Sequence, residues 1–300
     1  MRKRFALLAL ILSLCLFLPS CSTVGRDIDS LLEAPKLTGD MYAIQKAVED
    51  SAKGEINLRY PKKGEYLSSF VLYDLDNDGA EEAVAFYSMA GDTTSGEIYI
   101  SFVDKNEEGA WSVVGSVPIT AIGVEQVSFA DLDGDGTMEI VVGWNVFSTL
   151  EKQVAVYTAS AEKFTQRLLE SYTEYVVCDI MEVGYSQLLT VNLNLTEKTS
   201  TARLYHLDGT GIAEEGSAAL DGSVTGYLTP VAARLASGKP AVYIDATKGT
   251  SSMITEILYF QPVDTRTEKA SGENLQVTRS SALVSPFHDG TTNENEITSR

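Results

Sequence analysis

One nine-residue acidic loop occurs twice in this chain, and it constrains both the chemistry and the fold. Residues 74–82 read D-L-D-N-D-G-A-E-E, and residues 131–139 read D-L-D-G-D-G-T-M-E. Both copies share the pattern D-L-D-x-D-G-x-x-E and run directly into an apolar stretch. Three carboxylates at alternate positions repel one another unless a positive charge lies among them. The duplication therefore indicates a repeated structural unit, and the carboxylates indicate a cation site in each copy.

The chemistry of the oxygen ligands favours calcium as that cation. In such a loop alternate side chains turn toward one centre, and the glycine at position six, Gly79 or Gly136, lets the chain bend back sharply. Oxygen ligands without histidine or cysteine favour Ca²⁺ over zinc or copper. The predicted ligands are Asp74, Asp76, Asp78, the Ala80 carbonyl and Glu82 in the first copy, and Asp131, Asp133, Asp135, the Thr137 carbonyl and Glu139 in the second.

The loops differ from EF-hands, whose bidentate glutamate is at position 12 and whose flanking elements are helices. They resemble the loops of FG-GAP and VCBS repeats, the calcium-loop β-propellers that include the head of integrin alpha chains. In that family D-x-D-x-D-G-x-x-D lies between the first two strands of a blade, and here Glu82 and Glu139 replace the commoner final aspartate. The resemblance covers about residues 66–220 and implies two structural calcium ions. The alternatives are that the metal takes part in ligand binding, or that the loops are acidic turns without metal.

The rest of the chain predicts an all-β fold preceded by one short helix. Met41, Ile44, Ala47 and Val48 lie on one helical face within residues 40–52, which predicts an amphipathic helix that Gly54 ends. From Tyr66 onward the chain is a succession of short β-type runs separated by Gly, Asn, Asp and Ser. The aromatic residues Tyr87, Tyr99, Trp111, Trp144 and Tyr157 fall mostly in these runs, where packing in the core is expected rather than ligand binding.

The strand-like runs recur with a period of about 50 residues, which is typical of the four-stranded blades of a β-propeller. The units begin near Ser68, Val124, Thr173 and Gly226, and a fifth is expected at Leu275. The third unit has lost the acidic loop, and residues 231–235 replace the loop in the fourth. So few units predict a propeller that is incomplete in this chain or that contains diverged repeats. The predicted organisation is a lipoprotein signal peptide (1–20), a tether (21–38), a short helix with lead-in (39–65), β-propeller repeats (66–285) and a polar tail (286–300).

The first 20 residues have the layout of a secretory signal peptide. A basic start at residues 2–4 precedes an apolar run, residues 5–18, that is too short to span a bilayer. Residues 18–21, Leu-Pro-Ser-Cys, resemble the lipobox of bacterial lipoproteins, and lipoproteins of Gram-positive bacteria also carry such repeats. This predicts lipidation of Cys21 and a membrane anchor on the extracytoplasmic face; an ordinary signal peptide is the alternative. Cys178 would then be the one remaining cysteine, and we expect it to be a buried, inert side chain.

Charge and composition narrow the function classes. The formal charge is -19 and becomes -22 if the three basic residues of the signal are removed, so nucleic acid is excluded as a partner. The two histidines, His206 and His288, lie in no nucleophile-elbow setting, and no phosphate-binding fingerprint follows a strand. The sequence therefore predicts a non-enzymatic binding or scaffold module with a protein or polysaccharide ligand. A polysaccharide-active enzyme on a propeller fold and a purely structural envelope protein are the alternatives.

Overall fold

The computed structural model describes residues 39–92, 96–148, 151–208, 211–250, 252–262 and 275–284. Every described strand lies in the compact unit that begins at residue 43. The predicted signal peptide, tether and polar tail, with Cys21 and His288, lie outside the described residues. In the part of the chain that is described, no helix has the length and apolar character needed to cross a membrane.

The predicted helix is present as α1, Asp40–Ala52. Ile44 and Val48, two residues of its predicted apolar face, are fully buried. Lys53 takes the left-handed conformation with a φ of 57°, and the Gly54 N–H donates to the carbonyl five residues earlier at 3.3 Å. This bond pattern ends a helix by satisfying one of its last free carbonyls.

Within the described residues, eighteen strands form four antiparallel sheets. Sheet 1 contains β1 (Ile56–Leu58), β2 (Phe70–Tyr73), β3 (Glu82–Met89), β4 (Glu97–Lys105) and β5 (Trp111–Thr120). Sheet 2 contains β6 (Gly123–Ala130), β7 (Glu139–Ser148), β8 (Glu151–Ser160) and β9 (Lys163–Tyr172). Sheet 3 contains β10 (Glu174–Cys178), β11 (Gln187–Asn194), β12 (Thr199–Asp208) and β13 (Gly211–Leu220). Sheet 4 contains β14 (Gly226–Tyr227), β15 (Val231–Arg234), β16 (Pro240–Lys248), β17 (Ser252–Pro262) and β18 (Leu275–Val284).

In sheets 1 and 4 the first strand of the blade is split into two pieces. Strands β1 and β2 both pair with β3, and β14 and β15 both pair with β16. Strand β1 lies in the segment that the sequence assigned to the lead-in, so the first sheet begins before residue 66. Residues 231–234 are a strand rather than a replacement for the loop, and the turn lies at residues 235–239 instead.

The predicted fifth unit at Leu275 is wrong. Strand β18 pairs antiparallel with β17, from Pro262↔Leu275 to Ile254↔Val284, and is the last strand of sheet 4. A hydrophobic strand pattern identifies a strand but carries no information about its partner, so an outer strand resembles the start of a new unit.

Successive sheets pack face to face. Alternate residues of β7 point to opposite sides, so that Val142 and Trp144 pack on sheet 1 while Val141 packs on sheet 3. A further cluster, which includes Leu204 and Val242, joins sheets 3 and 4. Because the central strands are covered on both faces, their sequences read as continuous apolar runs. This arrangement is that of propeller blades, and the predicted all-β fold of four-stranded blades is confirmed.

The aromatic side chains pack largely in the core, as predicted. Trp144 and Tyr157 have no exposed surface, and Trp144 meets Phe86 edge to face at 5.9 Å between ring centroids. Tyr87 and Tyr99 stack across β3 and β4 at 5.3 Å. These contacts fix the packing of sheets 1 and 2, the two sheets that carry the acidic loops.

Candidate metal centre

Each acidic loop joins the first two strands of its blade at the same register, and the third blade repeats that register. The strand residue before the loop pairs with the residue at position nine in three cases: Tyr73↔Glu82, Ala130↔Glu139 and Cys178↔Gln187. The loops are called loop 1 (residues 74–82), loop 2 (131–139) and loop 3 (179–187). The antiparallel ladder therefore holds all three loops in equivalent positions.

Loop 1 gathers its three aspartates around one centre. Oxygen atoms of Asp74, Asp76 and Asp78 all lie within 4.8 Å of one another. Asp74 accepts hydrogen bonds from the N–H groups of Asp78 and Gly79, both at 3.1 Å. Asn77 and Gly79 have positive φ angles of 60° and 89°, which turn the chain back on itself. The loop backbone thus presents its carboxylates inward.

Loop 2 has the same conformation with a different closest set of oxygens. Atoms of Asp131, Asp133 and Glu139 lie within 4.8 Å of one another. Asp131 accepts the N–H groups of Gly134 at 2.6 Å and Gly136 at 3.0 Å, and these glycines have φ angles of 79° and 91°. The two loops therefore share a backbone fold in which position one accepts the turn's N–H groups.

The remaining predicted ligands are engaged in local hydrogen bonds. Asp78 accepts the Ala80 N–H, and Asp135 accepts the Thr137 N–H, both at 2.7 Å. Glu82 lies outside the close group of three oxygens in loop 1, and Asp135 lies outside that of loop 2. The aspartates at positions one and three belong to the close group in both loops.

The glutamates at position nine have a structural role that the sequence did not reveal. Glu82 is 5% exposed and accepts the Leu75 N–H through Oε2 at 2.8 Å. Glu139 is 3% exposed and accepts the Leu132 N–H in the same way, also at 2.8 Å. The buried leucine at position two needs an acceptor for its N–H, and that requirement is the sequence signal for the bond.

Several carboxyl groups of the loops have raised pKa values. Burial first, and then the neighbouring aspartates, raise the pKa of Glu82 to about 7. The same causes raise the pKa of Glu139 to about 7, and burial raises that of Asp133. A divalent cation among these carboxylates would offset both causes. The donor set consists of carboxylate oxygens, which is the chemistry that Ca²⁺ prefers, so the residues present fit this ion.

Loop 3 has the same backbone conformation as loops 1 and 2 but lacks the acids at positions three and five. Asp179 at position one accepts the N–H groups of Val183 at 2.8 Å and Gly184 at 2.9 Å. Glu182 and Gly184 have φ angles of 57° and 96°, in the positions of the two left-handed residues of loops 1 and 2. Gln187 at position nine accepts the N–H of the position-two residue at 2.8 Å. The loop fold therefore requires the residues at positions one, six and nine, but not the acids at positions three and five.

The three loops contact one another along one edge of the blades. The Met138 N–H donates to the Leu75 carbonyl at 2.7 Å, and the Asn77 side-chain amide donates to the Gly136 carbonyl. The Ser186 N–H of loop 3 donates to the carbonyl at position one of loop 2 at 2.7 Å. Successive loops are therefore joined by direct hydrogen bonds.

A groove of about 410 Å³ adjoins loop 2. Its lining contains two basic side chains, Lys163 and Arg167, and five acidic ones: Asp76, Asp133, Asp135, Glu139 and Asp208. Hydroxyl groups add further polar lining: Thr137, Thr158, Ser160 and Thr165. The volume is in the range of small-ligand sites, and the lining offers hydrogen-bond partners of both signs.

A second charged cluster lies near the start of β6, whereas loop 2 follows the end of that strand. Glu125 is 7% exposed and lies 2.8 Å from the Lys63 ammonium and 3.4 Å from that of Lys152. The buried Asn145 side chain donates to Glu125 at 2.8 Å. Burial would raise the pKa of Glu125, but hydrogen bonds from Lys63 and Asn145 and the charge of Lys152 lower it to about 2. The negative charge of Glu125 is therefore offset by side chains of the protein itself, in contrast to the charges of the loop carboxylates.

The other chemistry-bearing residues lie apart from the loops' close oxygen groups. His206 on β12 has its Nδ1 3.0 Å from Glu215 Oε1. Cys178 is a free, half-buried cysteine beside the core of sheets 3 and 4, where burial raises the pKa of its thiol. A thiol with a raised pKa is a poor nucleophile, which fits the inert role expected for it.

The fold and the loops define an all-β protein built from repeated blades with an acidic connection between the first two strands. Residues 74–142, which contain both acidic loops, match the model of the FG-GAP-like repeat. This segment is an FG-GAP-like repeat, as the sequence pattern predicted. No curated protein matches the chain.

Several solved structures are distantly similar in fold. The Bacillus licheniformis rhamnogalacturonan lyase PL11 is 12% identical at a TM-score of 0.35, with 68% of this chain and 45% of that chain covered. The rhamnogalacturonan lyase YesW is 10% identical at a TM-score of 0.36, with 80% of this chain and 54% of that chain covered. The exo-beta-1,3-galactanase of Phanerochaete chrysosporium is 11% identical at a TM-score of 0.31, with 71% of this chain and 52% of that chain covered. The chain spans about half the length of these proteins, and we draw no functional assignment from similarity at this level.

Proposed function

We propose that this protein is a membrane-anchored, extracytoplasmic propeller that binds two calcium ions and serves as a binding or scaffold module. The observation that carries the proposal is the pair of loops of identical backbone fold, each with three carboxylate oxygens within 4.8 Å of one another. Asp74, Asp76 and Asp78 would hold one ion. Asp131 and Asp133, with Glu139, would hold the other, and the ions would supply the positive charge that the loops lack.

Calcium stoichiometry tests the metal part of the proposal. Chelator-treated protein, dialysed against calcium and analysed for bound metal, should take up two ions per chain. Asp76→Ala and Asp133→Ala should each remove one ion, and the double variant should bind none. Glu182→Gln in loop 3 is the matched control and should still bind two, because that loop has no acids at positions three and five. Wild-type protein that binds no calcium would refute the proposal.

The anchoring part follows from Cys21, and it has an independent test. Two or more acyl chains hold a protein stably at a membrane, because each buried methylene contributes about 0.8 kcal/mol. Cell fractionation should find the wild-type protein with membranes and the Cys21→Ala variant in the soluble fraction. A Cys21→Ala variant that stays with the membranes would show that another feature anchors the chain.

The groove beside loop 2 supports a binding role rather than a purely structural one. It combines a predicted metal site with Lys163, Arg167 and several hydroxyl groups, a lining that suits a polar ligand such as a polysaccharide. Affinity electrophoresis in gels that contain neutral or acidic polysaccharide would detect retardation of the wild-type protein. Arg167→Ala should reduce that retardation, whereas Lys105→Ala, at the end of β4 in the first sheet, should not. Equal mobility with and without polysaccharide would favour a protein ligand or a structural role.

A further inference from the structure

Loop 1 controls the orientation of one peptide unit in loop 2. The Met138 N–H donates to the Leu75 carbonyl at 2.7 Å. That N–H belongs to the same peptide unit as the Thr137 carbonyl, the predicted backbone ligand of loop 2. All peptide bonds of the described residues are trans, so the carbonyl of this unit points away from its N–H. Fixing the N–H on Leu75 therefore fixes the direction of the Thr137 carbonyl.

Leu75 is itself held by the predicted ligands of loop 1. It lies between Asp74 and Asp76, its side chain is 2% exposed, and its N–H donates to Glu82. A cation that immobilises Asp74 and Asp76 also immobilises the carbonyl between them. A metal ion in loop 1 would thus order the Leu75 carbonyl, which accepts the hydrogen bond from loop 2.

Asn77 makes the second connection between the loops. Its side-chain amide donates to the Gly136 carbonyl, one residue before Thr137. Asn77 holds a φ of 60° at position four, where loop 2 has Gly134 with a φ of 79°. The side chain is therefore not needed for the turn, since the equivalent turn forms with glycine.

The hydrogen bond that joins loop 1 to loop 2 has no equivalent between loop 2 and loop 3 at the same carbonyl. The Leu132 carbonyl, the counterpart of Leu75, accepts the Leu207 N–H of strand β12 at 2.9 Å. Loop 3, the next loop, has no acids at positions three and five. Coupling between metal sites is thereby confined to loops 1 and 2.

We infer that calcium binding to loop 1 preorganises loop 2, so that the two ions bind with positive cooperativity and Asn77 acts as a positioning residue. This inference rests on the proposed calcium binding. A hydrogen bond of this kind changes an equilibrium constant by about two- to tenfold, so we expect coupling of about four- to hundredfold from the two bonds. Because coupling of binding is reciprocal, loop 2 raises the affinity of loop 1 by the same factor.

Isothermal titration calorimetry with calcium chloride measures the coupling. Asp76→Asn leaves loop 2 as the working site, and Asp133→Asn leaves loop 1. The product of the two single-site association constants should fall about four- to hundredfold below the product of the two stepwise constants of the wild type. Equal products would overturn the inference and leave calcium binding intact. A wild type that binds no calcium would instead overturn the proposed function, and the inference with it.

Asn77→Gly separates coupling from ligation. This change gives loop 1 the residue that loop 2 has at position four, so the turn and all carboxylates are kept. We expect two ions still to bind, with the cooperativity factor reduced at least twofold. Asn106→Gly, at an exposed turn in sheet 1, is the control and should leave the factor unchanged. An Asn77→Gly protein with undiminished cooperativity would refute the positioning role of Asn77.

Discussion

At the scale of single residues, the glutamate at position nine of loops 1 and 2 combines a backbone role with a charge. Glu139 accepts the Leu132 N–H in loop 2, and Gln187 accepts the corresponding N–H in loop 3. The amide of Gln187 shows that the hydrogen bond does not need a charged acceptor. The negative charge of Glu139 would therefore serve the proposed metal site.

Substitutions of Glu139 should separate these two roles. In the presence of chelator, Glu139→Gln should keep the free energy of unfolding within about 0.5 kcal/mol of the wild type. Glu139→Ala should lose about 1–3 kcal/mol, because the buried Leu132 N–H is left without an acceptor. Urea unfolding followed by far-UV circular dichroism measures both values. Equal losses for the two variants would show that the hydrogen bond has no stabilising role.

Glu125 is the opposite case, a carboxylate whose charge is satisfied within the fold. Lys63, Lys152 and Asn145 contact it, and its pKa falls from the ordinary 4.5 to about 2. A pKa that is lower in the folded than in the unfolded state gives stability that is present above pH 4.5. That stability is lost as the pH falls from about 4.5 to about 2.

The pH dependence of Glu125→Gln checks this assignment. With chelator present, the wild type should exceed the variant in unfolding free energy by a constant amount above pH 5. The difference should shrink between pH 4.5 and pH 2, as measured by urea unfolding at each pH. Glu108→Gln, on an exposed turn, is the control and should show no such trend. A difference that grows toward acid pH would contradict the predicted direction.

At the scale of the loop, the conformation is separable from the metal chemistry. Loop 3 reproduces the left-handed residues and the position-one and position-nine bonds with Met181 and Val183 at positions three and five. The backbone of this connection is therefore specified by aspartate, glycine and a position-nine acceptor. Loops 1 and 2 differ from loop 3 in having acids at positions three and five.

Restoring those acids should create a third calcium site. The double substitution Met181→Asp with Val183→Asp should raise the bound calcium from two ions to three per chain in equilibrium dialysis. Val183 is 49% exposed, whereas Met181 packs against the core of sheets 3 and 4, so a moderate loss of stability should accompany the gain. The Met181→Asn, Val183→Asn protein is the control of similar size and should bind two ions. A stoichiometry of two for the aspartate variant would show that loop 3 lacks a further requirement.

The sequence predicts those elements whose signal is local. The helix at residues 40–52, the central strands and the aspartates of both loops were all recognisable from periodicity and spacing. The apolar pattern of the outer strands β9 and β13 is weaker, because most of their residues are exposed or only partly buried. The bond between Met138 and Leu75 joins residues far apart in the chain, so no local pattern encodes it. The apolar pattern of β18 predicts a strand but does not show that it pairs with β17.

At the scale of the whole molecule, the two acidic loops lie where two blades meet. The loops of sheets 1 and 2 hydrogen-bond to each other, while the cluster containing Phe86, Ile140 and Trp144 packs the same two sheets together. The faces of these two blades already pack together in the core. Calcium bound in the loops would also link the ends of the blades. The acidic charge of the chain, formally -19, makes it a natural host for such ions.

Thermal unfolding with and without chelator tests most directly the claim that two calcium ions stabilise this propeller. An ion present at about 100 times its Kd contributes about 2.7 kcal/mol, and 1 kcal/mol moves the Tm of a domain of this size by about 2–4 °C. Two such ions contribute about 5.4 kcal/mol, so chelation should lower the Tm of the wild type by about 11–22 °C. The Asp76→Ala, Asp133→Ala protein should melt near that lower value under both conditions. A wild-type melting curve that is the same with calcium and with chelator would contradict the account.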